Sequence, residues 1–255
     1  MAVSPTSLAA FAALLADPTR SAICLALLDG RAWTAGEIAA EVGVARSTAS
    51  EQLTTLVGAG LLAEERQRRH RYVRLSGHQI ATVIEDLAGL AGAPEVPRSL
   101  RESHRARDLA AARTCYDHLA GALGVGLYDA FVDRGLLTTA DGTALTAAGR
   151  SWFTELLGEP ALTARGRPLI RTCLDWTERR PHLAGALGAA LHHGLRERGW
   201  VVAGPRPRAV RLTEAGAHGL EELLGRPMLP STGDRGVEGD GHAGALAGWG
   251  REASA

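Results

Sequence analysis

Apolar positions in the first 91 residues recur mostly at helical spacing. Leu8, Phe11, Ala12 and Leu15 form one stripe and predict a helix over 6–16. Asp17-Pro18 supplies a capping oxygen followed by a proline at the first helical position, which starts a second helix over 18–28. That helix buries Ile23, Leu27 and Cys24 and stops near Gly30. Thr34 with Glu37 three residues on is a capping box for a helix over 35–42, closed by Gly43. A further helix over 46–58 turns Ala49, Leu53, Leu56 and Val57 inward. After Gly60 the segment LLAEERQRRHRYVRL reads as strand, charged tip and strand. Ile80, Val83, Ile84, Leu87 and Leu90 then give the next helix a strongly apolar face.

The second half repeats itself. HLAGALG occurs at 118–124 and again at 182–188, and LTAAGRSWFTELLG from Leu145 is matched by LTEAGAHGLEELLG from Leu212. Such identity at near-fixed spacing predicts two copies of one unit, over about 109–158 and 168–225, stacked about a pseudo-twofold axis. Each unit reads as helix, helix, strand-like pair, helix, with Asp141-Gly142 a hairpin turn. Residues 92–107 read as a connection, and 226–255, rich in glycine, as a disordered tail in which Trp249 is an idle residue or a short docking element. The expected fold is mainly α with short β-hairpins (α+β). A winged helix-turn-helix over 1–91 precedes a duplicated helical domain over 108–225.

Composition excludes several classes. The 255 residues carry 28 arginines, no lysine and 28 acidic residues, so no global positive charge draws the chain to nucleic acid. Three scattered cysteines do not make a disulfide scaffold and point to a reducing cytoplasm. No stretch reads as a leader or a bilayer span, so a cytoplasmic chain without a membrane partner is expected.

Local charge changes the picture. Residues 64–74 hold Arg66, Arg68, Arg69, Arg71 and Arg74 against Glu64 and Glu65, at the tip where a hairpin can meet a phosphate backbone. Two helices joined by a tight glycine turn form a helix-turn-helix, whose second helix lies in the major groove. Its outward residues are Arg46, Ser47, Thr48, Ser50, Glu51, Gln52 and Thr55, short or amide side chains suited to base edges and phosphates.

The segments DPTR, EIAAEVGVARSTASEQL and AGLL together resemble the winged-helix domain of ArsR-family bacterial transcriptional regulators, over roughly residues 8–90. The resemblance implies a homodimeric repressor on a pseudo-palindromic duplex DNA operator, released by an effector. It carries base and phosphate contact onto Ser47, Thr48, Ser50 and Gln52, and wing contact onto Arg68, Arg69 and Arg71; Glu51 departs from the basic or His residue usual there. The dimer surface is expected at Leu8, Phe11 and Leu15, with Ile80, Val83, Ile84 and Leu87 divided between a partner chain and the second half.

The effector, whether small molecule, metal or oxidant, is not fixed by this pattern. The family's Cys pair is missing from the helix 35–42, and its dimer-helix zinc set is reduced to His78, Glu85 and Asp86. The second half offers Cys115, His118, Cys173 and His182, with Trp152 and Trp176, as lining for an effector site. Core packing, an apolar pocket, a thiol switch and a tetrahedral Zn2+ site remain open for these residues. The Cys–His spacings differ, three residues against nine, which argues against a duplicated metal site. An enzyme is not expected. Gly121, Gly124 and Gly126 lack the preceding strand of a nucleotide fingerprint and are read as a close helix–helix approach. His192-His193 is read as an exposed pair, and Asp175, Glu178, Arg179 and Arg180 as a solvated corner.

Overall fold

The structure, a computed structural model, describes residues 4–68, 70–91, 99–163 and 166–228. Arg69, the connection over 92–98 and most of the glycine-rich tail with Trp249 lie outside the described residues. Five helices and a three-stranded sheet make the first part: α1 (Pro5–Leu15), α2 (Pro18–Ala26), β1 (Trp33–Thr34), α3 (Ala35–Val42), α4 (Arg46–Gly58), β2 (Leu62–Gln67), β3 (His70–Leu75) and α5 (His78–Leu90). The capping signals act as their chemistry dictates. Asp17 accepts from the Arg20 amide at 2.8 Å, and Thr34 and Glu37 close their box. Gly43, at φ 77°, turns the chain between α3 and α4 in a conformation that a Cβ disfavours. The sheet runs β1-β3-β2, all antiparallel, with Glu64 opposite Val73 and Gln67 opposite His70.

One core fills this part, built on Ile23, Leu27, Ile38, Leu53, Leu56 and Val73. Cys24 lies wholly buried in it, and burial pushes its thiol up to about 11 despite the nearby Arg20 cation. Ile84, expected at a dimer surface, also packs into this core at 5% exposure and is not available to a partner. Ile80 is half-buried against the same core.

Helix α6 (Leu100–Ala111), capped by Ser99, covers part of what reads as a connection. Two successive runs of elements follow in the same order. The first is β4 (Arg113–Cys115), β5 (His118–Ala120), α7 (Gly121–Asp133), β6 (Leu137–Thr138), β7 (Ala144–Leu145) and α8 (Ala147–Leu157). The second is β8 (Arg171–Leu174), β9 (Pro181–Ala184), α9 (Gly185–Glu197), β10 (Val201–Ala203), β11 (Val210–Leu212) and α10 (Glu214–Leu224). Each run is thus hairpin, helix, hairpin, helix. Expecting a helix at its start is corrected: in RTCYDHLA, Tyr116 at φ 57° turns the chain between paired strands.

The glycine reading is corrected with it. A strand does precede Gly121, but in a two-stranded hairpin rather than a parallel nucleotide-binding unit. A Cβ on Gly188 would lie 2.5 Å from the Leu183 carbonyl and 3.3 Å from the His118 Cβ, and one on Gly124 would collide with the Leu119 carbonyl and sit 3.8 Å from the His182 Cβ. The close approach is therefore helix to hairpin, and each glycine faces the other run's histidine. The shared core gathers Leu123, Leu127, Phe131, Phe153, Leu187, Leu191 and Leu220. Of the expected tail over 226–255, the described residues 226–228 are packed: Met228 is buried and Arg226 pairs with Asp133 at 2.8 Å.

Among the described residues no single helix is long and apolar enough to cross a membrane. The first part and the second meet at α5, where Arg171 bonds Thr82 at 2.9 Å and Asp86 at 2.7 Å, and at Arg208, which donates to the Leu25 carbonyl at 3.1 Å.

Candidate nucleic-acid interface and buried Cys–His cluster

The polar side of α4 is held out by its apolar side. With Ala49, Leu53 and Leu56 anchored in the core, the 3.6-residue period leaves Arg46, Ser47, Ser50, Glu51 and Thr55 exposed. Thr48 and Gln52 are half-buried, and the Gln52 Oε1 accepts from Arg20 Nη1 at 3.1 Å. The wing carries Arg66 and Arg68 exposed. Arg68 tips the hairpin at φ 55°, a conformation costing a non-glycine residue about 1 kcal/mol. Arg71 differs from its neighbours: Glu64 holds it at 2.7 Å, and it donates to Thr54 Oγ1 on α4 at 3.2 Å. It braces the wing against α4.

An apolar trough lies between α1 and α5. Leu8, Val83, Leu87 and Leu90 are exposed and Phe11 and Leu15 half-exposed along it. The division of α5 follows its period. Val83, Leu87 and Leu90 look into the trough, Ala81 and Ile84 into the core, and Thr82, Glu85, Asp86 and Gly89 toward β8.

The structure brings four of the six expected effector residues together. Cys115, His118, Cys173 and His182 are all buried, with one ligand atom from each within 4.8 Å of the others. The unequal spacing is resolved by strand register. Cys115 pairs with His118 across β4–β5, and Cys173 with His182 across β8–β9. Only the loop beyond each cross-strand pair differs in length. Trp152 lies elsewhere, packed edge-on against Phe153 in the apolar core. Trp176 stacks on Arg113 with the guanidinium carbon 4.3 Å from the ring centroid.

The histidines face each other, Nε2 to Nε2, at 3.1 Å. On the far side of each ring stands a carboxylate: Asp117 at 3.3 Å from Nδ1 of His118, Asp175 at 3.9 Å from Nδ1 of His182. Glu85 reaches in from α5, its Oε2 accepting from Cys173 Sγ at 3.8 Å. Among the described residues, Nδ1 of His182 and Oε1 of Glu85 have no hydrogen-bond partner.

Two imidazoles this close share one proton. Burial opposes charging His118, but Asp117, Cys115 and Glu85 outweigh it and raise it to about 10. Burial and the charge on His118 drive His182 down to about 3. Burial also pushes the Cys115 thiol up to about 12, with Cys173 adding to it, and lifts Glu85 well above the carboxylate range. A thiol held as Cys115 is makes a poor nucleophile, whereas a bound cation replaces its proton directly.

Sequence reasoning missed Asp117, Asp175 and Glu85 as parts of this cluster. The adjacency of Asp117 to His118 is the one signal that a hairpin reading of CYDH exposes. Asp175 corrects the solvated corner, being wholly buried against Arg113 at 2.8 Å. His192 is likewise buried, its Nδ1 3.0 Å from the Asp117 carbonyl, while His193 alone is exposed.

Comparison with known proteins agrees with this architecture. Residues 15–65 match the family model of a helix-turn-helix domain. The chain is 42% identical over 220 residues to the uncharacterized HTH-type transcriptional regulator YdfF of Bacillus subtilis, covering 86% of this chain and 97% of that one. It is 37% identical over 82 residues to the HTH-type transcriptional regulator CmtR of Mycobacterium tuberculosis, covering 32% and 69%. Among solved structures, the homodimeric winged helix-turn-helix domain of Mb0332 from Mycobacterium bovis, a possible ArsR-family regulator, matches at 26% identity and TM-score 0.30, over 36% of this chain and 90% of that one. The alignment with YdfF is too long for the winged domain alone and takes in the second half. The chain belongs to the HTH-type transcriptional regulators, DNA-binding proteins, and carries its helix-turn-helix in a winged first part.

Proposed function

We propose that the chain works as a homodimeric repressor that seats α4 in the major groove of a pseudo-palindromic operator, lays the β2–β3 wing on the adjoining backbone, and lets go when an effector binds. The observation that carries this reading is that α4 exposes Arg46, Ser47, Ser50 and Thr55 while the wing, held to α4 by Arg71 on Thr54, exposes Arg66 and Arg68. Short hydroxyls suit base edges and phosphates, and arginines at a hairpin tip suit the phosphate rail. Arg69, Glu51 and Arg71 belong to the same expected contact, Arg71 while tied to Glu64 and Thr54, and Thr48 and Gln52 contribute as half-buried residues of α4. The trough lined by Leu8, Phe11, Leu15, Val83 and Leu87 supports a two-fold partner, because its apolar surface is of the kind that an interface covers.

The test is a salt titration of binding to a random-sequence duplex pool. Removing a cation that neutralises one phosphate lowers the slope of log K on log salt by about 0.9. Arg66→Ala with Arg68→Ala is expected to weaken all duplexes alike and reduce that slope by about 2. An unchanged slope and affinity contradict the wing assignment. Ser47→Ala with Ser50→Ala is expected instead to leave the slope and flatten the preference among sequences.

A further inference from the structure

We infer that Cys115, Cys173, His118 and His182 form a tetrahedral site for a zinc-class divalent cation, placed so that the bound ion acts on helix α5. The donor set is two thiols and two imidazoles, the ligands that a borderline-soft d10 cation takes in closed protein sites. With metal–ligand bonds of about 2.0–2.3 Å, tetrahedral edges fall near about 3.3 Å between nitrogens and about 3.8 Å between sulfurs. The Nε2–Nε2 distance is 3.1 Å and all four donor atoms lie within 4.8 Å, so modest rotamer shifts complete the tetrahedron. Two thiolates balance the dication, which leaves no net charge in the buried space.

The surroundings match as well. A histidine that binds metal through one nitrogen usually donates the other N–H to a carboxylate, which fixes its orientation. Asp117 stands at that place for His118, and Asp175 for His182, whose Nδ1 is otherwise unpartnered. Gly188 keeps clear space beside the opposite run's His118, whose Cβ a Cβ there would approach to 3.3 Å. A cavity of about 430 Å3 lined by Thr82, Glu85, Tyr116, Asp117, His118 and Arg167 borders the cluster at His118.

The link to α5 is Glu85, buried with one oxygen on Cys173 Sγ and the other unpartnered. Turning Cys173 into a metal thiolate removes the proton it donates to Glu85, so this hydrogen bond must reverse or break. Glu85 is flanked on its helix by Val83 and Leu87, which face the trough. This regulatory part rests on the DNA-binding reading above; the metal site itself does not.

The test uses the full chain, purified under reducing conditions. Elemental analysis is expected to return one zinc-class ion per chain, and Co2+ added to chelator-stripped protein should give the absorption of a tetrahedral two-thiolate site. Cys173→Ser and His182→Gln should abolish both signals, while Cys24→Ser keeps them. Asp117→Asn, at a partly exposed side chain, should weaken Co2+ about tenfold with the fold intact. Failure of the stripped, folded wild type to take up Co2+ or Zn2+ overturns the site, as does uptake that Cys173→Ser and Asp117→Asn leave unchanged. Loading wild type with Zn2+ should lower affinity for the duplex pool at least fivefold, with no effect in Cys173→Ser. Equal affinity of loaded and stripped protein overturns the link to α5, and absence of duplex binding in both states overturns the DNA-binding reading while leaving the metal result standing.

Discussion

Among the described residues Arg113 is the largest side chain with no exposure at all, and its two terminal nitrogens are matched while its Nε is not. Asp175 accepts from Nη2 at 2.8 Å, and Leu109 and Thr177 oxygens accept from Nη1 at 3.1 Å. Asp175 in turn accepts from Gly121, Thr177 and Glu178, so a residue of β4 is clamped to the loop after β8. Burial raises the Asp175 carboxyl, but Arg113 and these donors overcome it and hold it well below the usual range. Asp175→Asn therefore leaves a buried cation unmatched and should cost about 3–5 kcal/mol in urea unfolding. The depressed carboxyl contributes stability above the ordinary carboxylate range that is lost as pH falls below it; the Asn variant should lack that acid-dependent component. Equal stability at neutral pH contradicts this role. None of it was legible in DWTERR, because local composition gives no sign of a partner more than sixty residues away. Cys24 was legible as a core residue, since it lies on an apolar stripe of its own helix.

Elements whose signals are local read well. The caps at Asp17 and Thr34, the turn at Gly43 and the alternation into Val73 and Leu75 place α2, α3, α4 and the wing without tertiary information. The hairpin β4–β5 did not, because three-residue strands around a two-residue turn leave no period to detect and Ala and Leu on both sides favour a helical reading. That misreading set Cys115 and His118 a helical turn apart and hid the register that makes them equivalent to Cys173 and His182. Helix α5 shows the remaining limit, since its long apolar face divides between core, second half and trough only once the fold is known. Leu87→Glu with Leu90→Glu alters residues exposed at 47% and 77% and should leave the protomer folded. Sedimentation is expected to show monomer where the parent is a dimer; a dimer that persists removes the trough from the interface.

At the scale of the whole molecule, the winged part and the second half are joined through α5, by Arg171 on Thr82 and Asp86 and by Cys173 on Glu85. The helix that borders the proposed partner surface is thus the one touching the buried cluster. Gly188→Ala probes that arrangement from the far side, as its Cβ would press the Leu183 carbonyl and the His118 Cβ. It should destabilise the chain by about 1–3 kcal/mol in thermal or urea unfolding and weaken Co2+ uptake in step. Unaltered stability contradicts the tight packing of α9 on β9. The central claim is that two copies of α4 read a duplex together. Repeated selection of binding sequences from a random duplex pool tests it most directly. The account predicts enrichment of an inverted repeat whose half-sites are centred about one helical turn, 10–10.5 base pairs, apart, lost when Ser47 and Ser50 are replaced by alanine. A pool that stays random, or a motif that the alanine variant selects equally well, contradicts it.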